Sequence, residues 1–215
     1  MRIFLLGRTR YEEAWRFMKT LHAAVAEGRA EEAILVTEHE HVITVGRHGR
    51  LDNVLRRELP VYVVERGGDA TYHGPGQAVV YPVVRLRTGV RTYMWTLEEA
   101  VIRTLARFGI EAGRRENHRG IWVGGRKIAS LGIAVERGVA YHGVAVYVNP
   151  DMRYFWHINP CGLHPSAITS MSELGVKADV YEVGLLVAEN LAKLLDAEQS
   201  HISRDATSLG LMSKA

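Results

Sequence analysis

The sequence predicts an α+β domain built on a mixed, largely antiparallel sheet with flanking helices. Three observations carry this. Strand-like runs outnumber helical ones, and several follow one another directly. The helical stretches fall near the two ends and once in the middle. A regular strand–helix alternation, the mark of a parallel sheet, is absent.

The elements follow in order. Arg2–Leu6 is a short apolar strand. Over Tyr11–Glu27 the apolar residues Ala14, Phe17, Met18, Leu21, Ala24 and Val25 recur every three or four positions, one face of a helix. Gly28 ends it. Ala33–Thr37 and Val42–Val45 are strands, and the Glu38-His39-Glu40-His41 string between them reads as a solvated turn. Pro60–Val64 and Ala78–Leu86 are strands flanking a glycine-rich segment. Thr96–Phe108 is the second helix, with Thr96 and Glu99 at capping-box spacing and Gly109 as its stop. Gly124-Gly125 lies between two apolar runs, a hairpin signal. Val139–Val148 is another strand. Asp179–Leu195 is the third helix, with Asp179 as N-cap and Glu182 at the reciprocal position. From about Glu198 the chain turns polar. The reading is one domain over 1–197 and a polar tail over 198–215.

Composition narrows the function. Apolar residues make up 47% and charged residues 24% of 215, as in ordinary globular proteins. No apolar run approaches the ~18 residues of a membrane span, and the apolar start before Gly7 is too short for a secretory signal. A cytoplasmic protein is expected. The single cysteine, Cys161, excludes an internal disulfide and any site of several thiolates. A net charge of +3 and a pI of about 9.1 leave room for an acidic partner. They come without the basic blocks or aromatic motifs of nucleic-acid binding.

Three places hold candidate chemistry. Arg66–Gln77, RGGDATYHGPGQ, packs four glycines, a proline, an arginine and a histidine between two strands. Paired glycines let backbone approach a ligand closely, so the segment reads as a cradle with Arg66 and His73 as polar handles. Cys161 lies in HINPCGLHPS, where two prolines and a glycine dictate a loop. Lowering a thiol pKa from about 8.5 to about 7 takes roughly 2 kcal/mol. An ammonium at ~4 Å, with an effective dielectric of ~20, supplies about 4 kcal/mol. Lys127 is a candidate for that ammonium. It is one of five lysines in a chain whose lysines and arginines total 27, and it opens the apolar run KIASLGIAV. Unlike arginine, lysine can surrender its proton. His73, His142 and His157 are the alternative partners for Cys161. No metal site is expected, because the Glu38–His41 string lacks a third ligand at a recognisable spacing.

Four motifs then align. RGGDATYHGPGQ at 66–77, GRKIASLGIAV at 125–135, YHGVAVYVN at 141–149 and INPCG at 158–162 together resemble the lipoyl(octanoyl)transferases in order and approximate spacing. The resemblance implies the α+β fold of the biotin/lipoate protein ligases. It also implies transfer of an octanoyl or lipoyl group from acyl carrier protein to a lysine of a lipoyl domain. Acceptors would be the E2 subunits of 2-oxoacid dehydrogenases and the glycine cleavage H protein. By resemblance, Cys161 carries the acyl group as a thioester and Lys127 lowers its pKa. Arg66, Gly67, Gly68, Asp69, Ala70, Thr71, Tyr72 and His73 line the acyl pocket, with Ser130, Leu131, Gly132, Gly143, Val144 and Ala145. No cofactor is expected, and no ATP, since thioester to amide is downhill. A monomer is expected. Backbone amides near Gly162 and in Ser130–Gly132 are candidate oxyanion donors. The rivals are an ATP-dependent ligase of the same fold and a non-catalytic module that holds an acylated partner.

Overall fold

A computed structural model of the chain describes residues 1–116, 118–196 and 201–203, with Cys161 and 201–203 described by their backbone. Its strands are β1 (Arg2–Thr9), β2 (Ala33–His39), β3 (Val42–Val45), β4 (Val61–Val63), β5 (Ala70–His73), β6 (Gln77–Arg85), β7 (Gly113–Arg115), β8 (His118–Val123), β9 (Arg126–Glu136), β10 (Val139–Tyr147) and β11 (His201–Ser203). Its helices are α1 (Tyr11–Ala26), α2 (Val90–Arg107) and α3 (Val180–Leu194). The large sheet has the order β11-β1-β2-β6-β10-β9-β8-β7, and β4-β3-β5 form a small one. Among the described strands, parallel pairing is confined to β1 with β2 and β11, and to β3 with β4. The sheet is therefore mixed, as expected.

The two central strands β2 and β6 are apolar almost throughout because both faces are covered. Ile34, Val36 and Val80 point to α2 and α3, packing with Leu97, Val101, Val187 and Leu191. Leu35, Val79 and Tyr81 point the other way, to α1 and the small sheet, meeting Phe17, Leu21, Ile43 and Tyr72. Local signals also act as expected. Gly124 and Gly125 both take positive φ, 54° and 83°, in the β8–β9 turn. The Asp179 carboxylate accepts from the amides of Tyr181 and Glu182, both at 2.9 Å.

Several expectations need correction. α2 begins at Val90, six residues before Thr96, whose hydroxyl donates back to the Thr92 carbonyl at 3.0 Å instead of capping. Burial of Tyr93 and Met94 extends the apolar face and overrides the cap signal. Glu38 and His39 are not in a solvated turn: β2 runs through them and both are buried. The glycine-rich segment contains β5, paired antiparallel with β3. Of the 198–215 tail, residues 201–203 add β11 to the sheet edge, and the remainder lies outside the described residues.

One irregularity positions the site. Pro82 sits in β6, a central strand, and has no N–H to give β10. The β6–β10 ladder holds at Val84–Ala140 and resumes at Val80–Val144. Between them His142 takes φ 60°, and Gly143 passes against the Val80 carbonyl, where a Cβ would lie 2.2 Å from the oxygen. Only glycine fits that approach.

Candidate active site

A cleft opens at this irregularity. Its empty space, open mouth included, is about 450 Å³. Arg66, Gly68, Thr71 and His73 form one wall. Ser130, Leu131 and Gly132 of β9 and Gly143, Val144 and Ala145 of β10 form the other. Here β9 and β10 pair residue for residue, Ser130 with Ala145 through Gly132 with Gly143. Tyr11, Val79, Tyr81 and His142 also line the cleft and were not anticipated as lining. The alternation of Val79 and Tyr81 on β6 is a sequence signal that could have found those two.

The remaining residues of the glycine-rich motif stand behind the wall. The amide of Gly67 donates to the Ile133 carbonyl at 2.9 Å, seating the loop on β9. Asp69 accepts from the amides of Arg50 and Ala70 at 2.8 and 2.7 Å, and from the Asn53 side chain. Ala70 and Tyr72 belong to the core under α1. Arg66 is itself structural: its guanidinium donates to the carbonyls of Gly67, Asp69 and Thr44 and to the Thr44 hydroxyl, at 2.8–3.0 Å. It clamps the loop in the shape the cleft needs.

The floor of the cleft is kept neutral. Burial holds His73 well below the usual imidazole value, and the neighbouring His39 pushes the same way. Burial lowers His39 to about 4, where its ring pairs with the Tyr81 hydroxyl at 2.8 Å. His142 is lowered by burial, partly offset by Glu65 at 3.4 Å. Tyr11 and Tyr81 are pushed up by burial and stay protonated. The hydroxyl of Thr71 and Nδ1 of His73 are buried with no hydrogen-bond partner among the described residues. With the Arg66 charge engaged by loop carbonyls and the Thr44 hydroxyl, the apolar lining of Val79, Leu131, Val144 and Ala145 suits an acyl chain.

Lys127, at the start of β9, is 3% exposed. Its stem crosses Gly120, where a Cβ would lie 2.8 Å from Cε, and its Nζ lies 5.2 Å from the Trp122 ring centroid. The Lys127 carbonyl accepts from the Thr169 amide at 2.9 Å, and Lys127 bridges Ile168. The segment that follows Cys161 therefore returns to the lysine's own backbone. Cys161 lies in a 3-10 turn, Pro160–Gly162, that packs on β5. Asn159 donates to the Asn53 carbonyl at 2.8 Å. The amides of Gly162 and Leu163 close the turn onto the carbonyls of Asn159 and Pro160, at 3.1 and 3.0 Å. His157 is engaged by the Tyr154 carbonyl at 3.1 Å and by Glu58 at 3.4 Å. Among the described residues no group of three metal-ligating side chains comes together, and no helix is long and apolar enough to cross a membrane.

Residues 10–192 match the family model of the lipoyl protein ligase A/B catalytic domain. The chain belongs to this family. Within it, the chain is 77% identical to the "Probable octanoyltransferase" of Pyrobaculum arsenaticum, over 93% of this chain and 94% of the relative. It is 44% identical to the octanoyltransferase of Solibacter usitatus, over 90% and 92%. Among solved structures, lipoate-protein ligase A bound with ATP superposes with a TM-score of 0.79 over 98% of this chain and 91% of that one, at 16% identity. Biotin protein ligase from Aquifex aeolicus gives 0.53 over 93% and 72%, at 15% identity. The last two likenesses establish the ligase-like fold of the family member described here.

Proposed function

We propose that the chain transfers an octanoyl group from acyl carrier protein to a lysine of a lipoyl domain, through a thioester on Cys161. The observation that carries this reading is Lys127: a buried amine in a fitted slot, its backbone holding the segment that follows Cys161. The cleft lined by Ser130–Gly132, on the same strand as Lys127, supports an acyl substrate. Much greater identity to octanoyltransferases than to ATP-bound ligases favours the transferase over the ATP-dependent reading. Acceptors of the expected kind are lipoyl domains of 2-oxoacid dehydrogenase E2 subunits and the glycine cleavage H protein, all meeting the enzyme in the cytoplasm.

The chemistry runs in two balanced steps. Cys161 as thiolate attacks the donor's thioester carbonyl; the carrier's sulfur leaves and takes a proton from the Lys127 ammonium. An enzyme thioester and a neutral Lys127 remain. The acceptor lysine, as free amine, attacks that thioester. Lys127 takes the surplus proton, the amide forms, and the Cys161 thiolate departs beside a restored ammonium. A free lysine is well under 1% neutral at pH 7, so a base at this second step is essential.

Intact-mass measurement after incubation with octanoyl-acyl carrier protein tests the reading. One octanoyl group is expected on the wild type, removable by hydroxylamine and missing from Cys161→Ala. Lys127→Ala should acylate far more slowly and shift the pH dependence of thiol alkylation upward. A wild type that gains no mass would sink the acyl-enzyme, and an unchanged alkylation profile in Lys127→Ala would sink the dyad.

A further inference from the structure

The structure assigns a docking surface for the acyl donor to residues 47–57, an arginine-bearing arm that joins the acyl cleft to the cysteine turn. The assignment rests on the transfer reaction proposed above. Neither the glycine-rich motif nor the cysteine motif includes this arm.

The arm is fixed by its backbone at both ends. At the cleft end, Arg47 donates to the Arg66 carbonyl at 3.0 Å and the Arg50 amide to Asp69 at 2.8 Å. At the turn end, Leu55 and Arg56 donate to the His157 carbonyl at 2.8 and 3.2 Å, and Val54 bridges Ile158. Main-chain tethering leaves the side chains outside. Arg47, Arg50, Arg56 and Arg57 are exposed. Arg47 faces Glu136 and Arg50 faces Asp52, whereas Arg56 and Arg57 have no ion-pair partner among the described residues. Leu51 and Leu55 stand exposed among them, at 47% and 52%. The tethered backbone thus presents two unpaired cations together with two leucines at one surface.

Charge identifies that partner as acidic. Two proteins must visit Cys161, and chemistry separates them. The acceptor brings a lysine, itself a cation, which arginines beside the turn would repel. The donor brings a thioester on a prosthetic arm that carries a phosphodiester, and arginine forks match phosphate oxygens. The arm therefore receives acyl carrier protein.

The test compares Arg56→Glu/Arg57→Glu with the wild type in separate half-reactions. Acyl-enzyme formation from octanoyl-acyl carrier protein should fall roughly tenfold and lose most of its salt dependence. Acylation by the octanoyl thioester of N-acetylcysteamine, which has neither protein nor phosphate, should keep its wild-type rate. Transfer from the preloaded acyl-enzyme to a lipoyl domain should also be unchanged. An equal loss with both thioesters, no loss with the carrier, or a loss confined to the second half-reaction would each overturn the assignment. Fluorescence anisotropy with the unacylated carrier reads the surface without the chemistry: equal affinity in the variant overturns it. A wild type that binds the carrier yet forms no adduct would instead overturn only the reaction beneath it.

Discussion

The wall of the cleft and the segment that carries Cys161 are built on opposite principles. The wall is regular sheet, with Ser130–Gly132 and Gly143–Ala145 locked into one ladder between buried strands. Residues 152–167 instead form three 3-10 turns, held to the body by the bridges Val54–Ile158 and Lys127–Ile168, by backbone bonds from Leu55 and Arg56 to His157 and from Asn159 to Asn53, and by buried Phe155, Ile158 and Ile168. Backbone in a ladder cannot be re-aimed without breaking its neighbours, whereas a turn on a few anchors can. Under the proposed reaction, acyl recognition falls on the rigid part and the nucleophile where two large partners must reach it.

The strongest way to break this contrast is to add one methyl to the wall. In Gly143→Ala the new Cβ would sit 2.2 Å from the Val80 carbonyl oxygen and 2.8 Å from Pro82. Neither can yield without opening the central sheet. A loss of roughly 4 kcal/mol is expected in urea denaturation. Near-wild-type stability would mean that the β6–β10 gap is loose, and the rigid-wall argument would fail.

The second way is to charge the floor. His39 is held near 4 in the folded protein against 6.5 when free. Its folded value is depressed, so the unfolded chain binds more protons once pH falls below about 6.5. The stability it contributes is full above that pH and is lost progressively down to about 4. By about pH 5 the cost from His39 alone is about 2 kcal/mol, and the lowered His73 and His142 add in the same direction. Urea midpoints should drop between pH 7 and 5, and drop less in His39→Asn. A flat midpoint over that range would show that the floor accepts charge.

What the sequence made legible follows the same division. Glycines forced by close approach or positive φ announced the cleft: Gly68 turns at φ 84°, and Gly132 meets the Gly67 carbonyl. The Gly124-Gly125 hairpin and the Asp179 cap are local chemistry and were readable as such. β5 was not, since four residues between glycines carry too little periodicity, and its pairing with β3 is a long-range fact. The burial of Glu38 and His39 was equally hidden. Glu38 is held there by the Gly76 amide at 2.7 Å and Arg8 at 2.9 Å, His39 by Tyr81, and none of these contacts is local. The arginine arm left no motif because what sets it apart is what its backbone is tied to, and those ties are long-range.

The mildest perturbation asks whether the turn really is the softer part. Gly162 takes φ 73°, and a Cβ there would meet nothing within 4 Å. Gly162→Ala therefore adds no clash and costs only the left-handed backbone, about 1 kcal/mol. Thermal unfolding should move by a few degrees at most. Octanoyl loading should suffer more than stability, because the strained residue follows Cys161 directly and the turn re-aims to relieve it. Gly162→Asn, which tolerates that φ better, should recover part of the loading rate. If Gly162→Ala cost as much stability as Gly143→Ala, the turn would be packed as tightly as the wall, and Cys161 would be as fixed as the cleft.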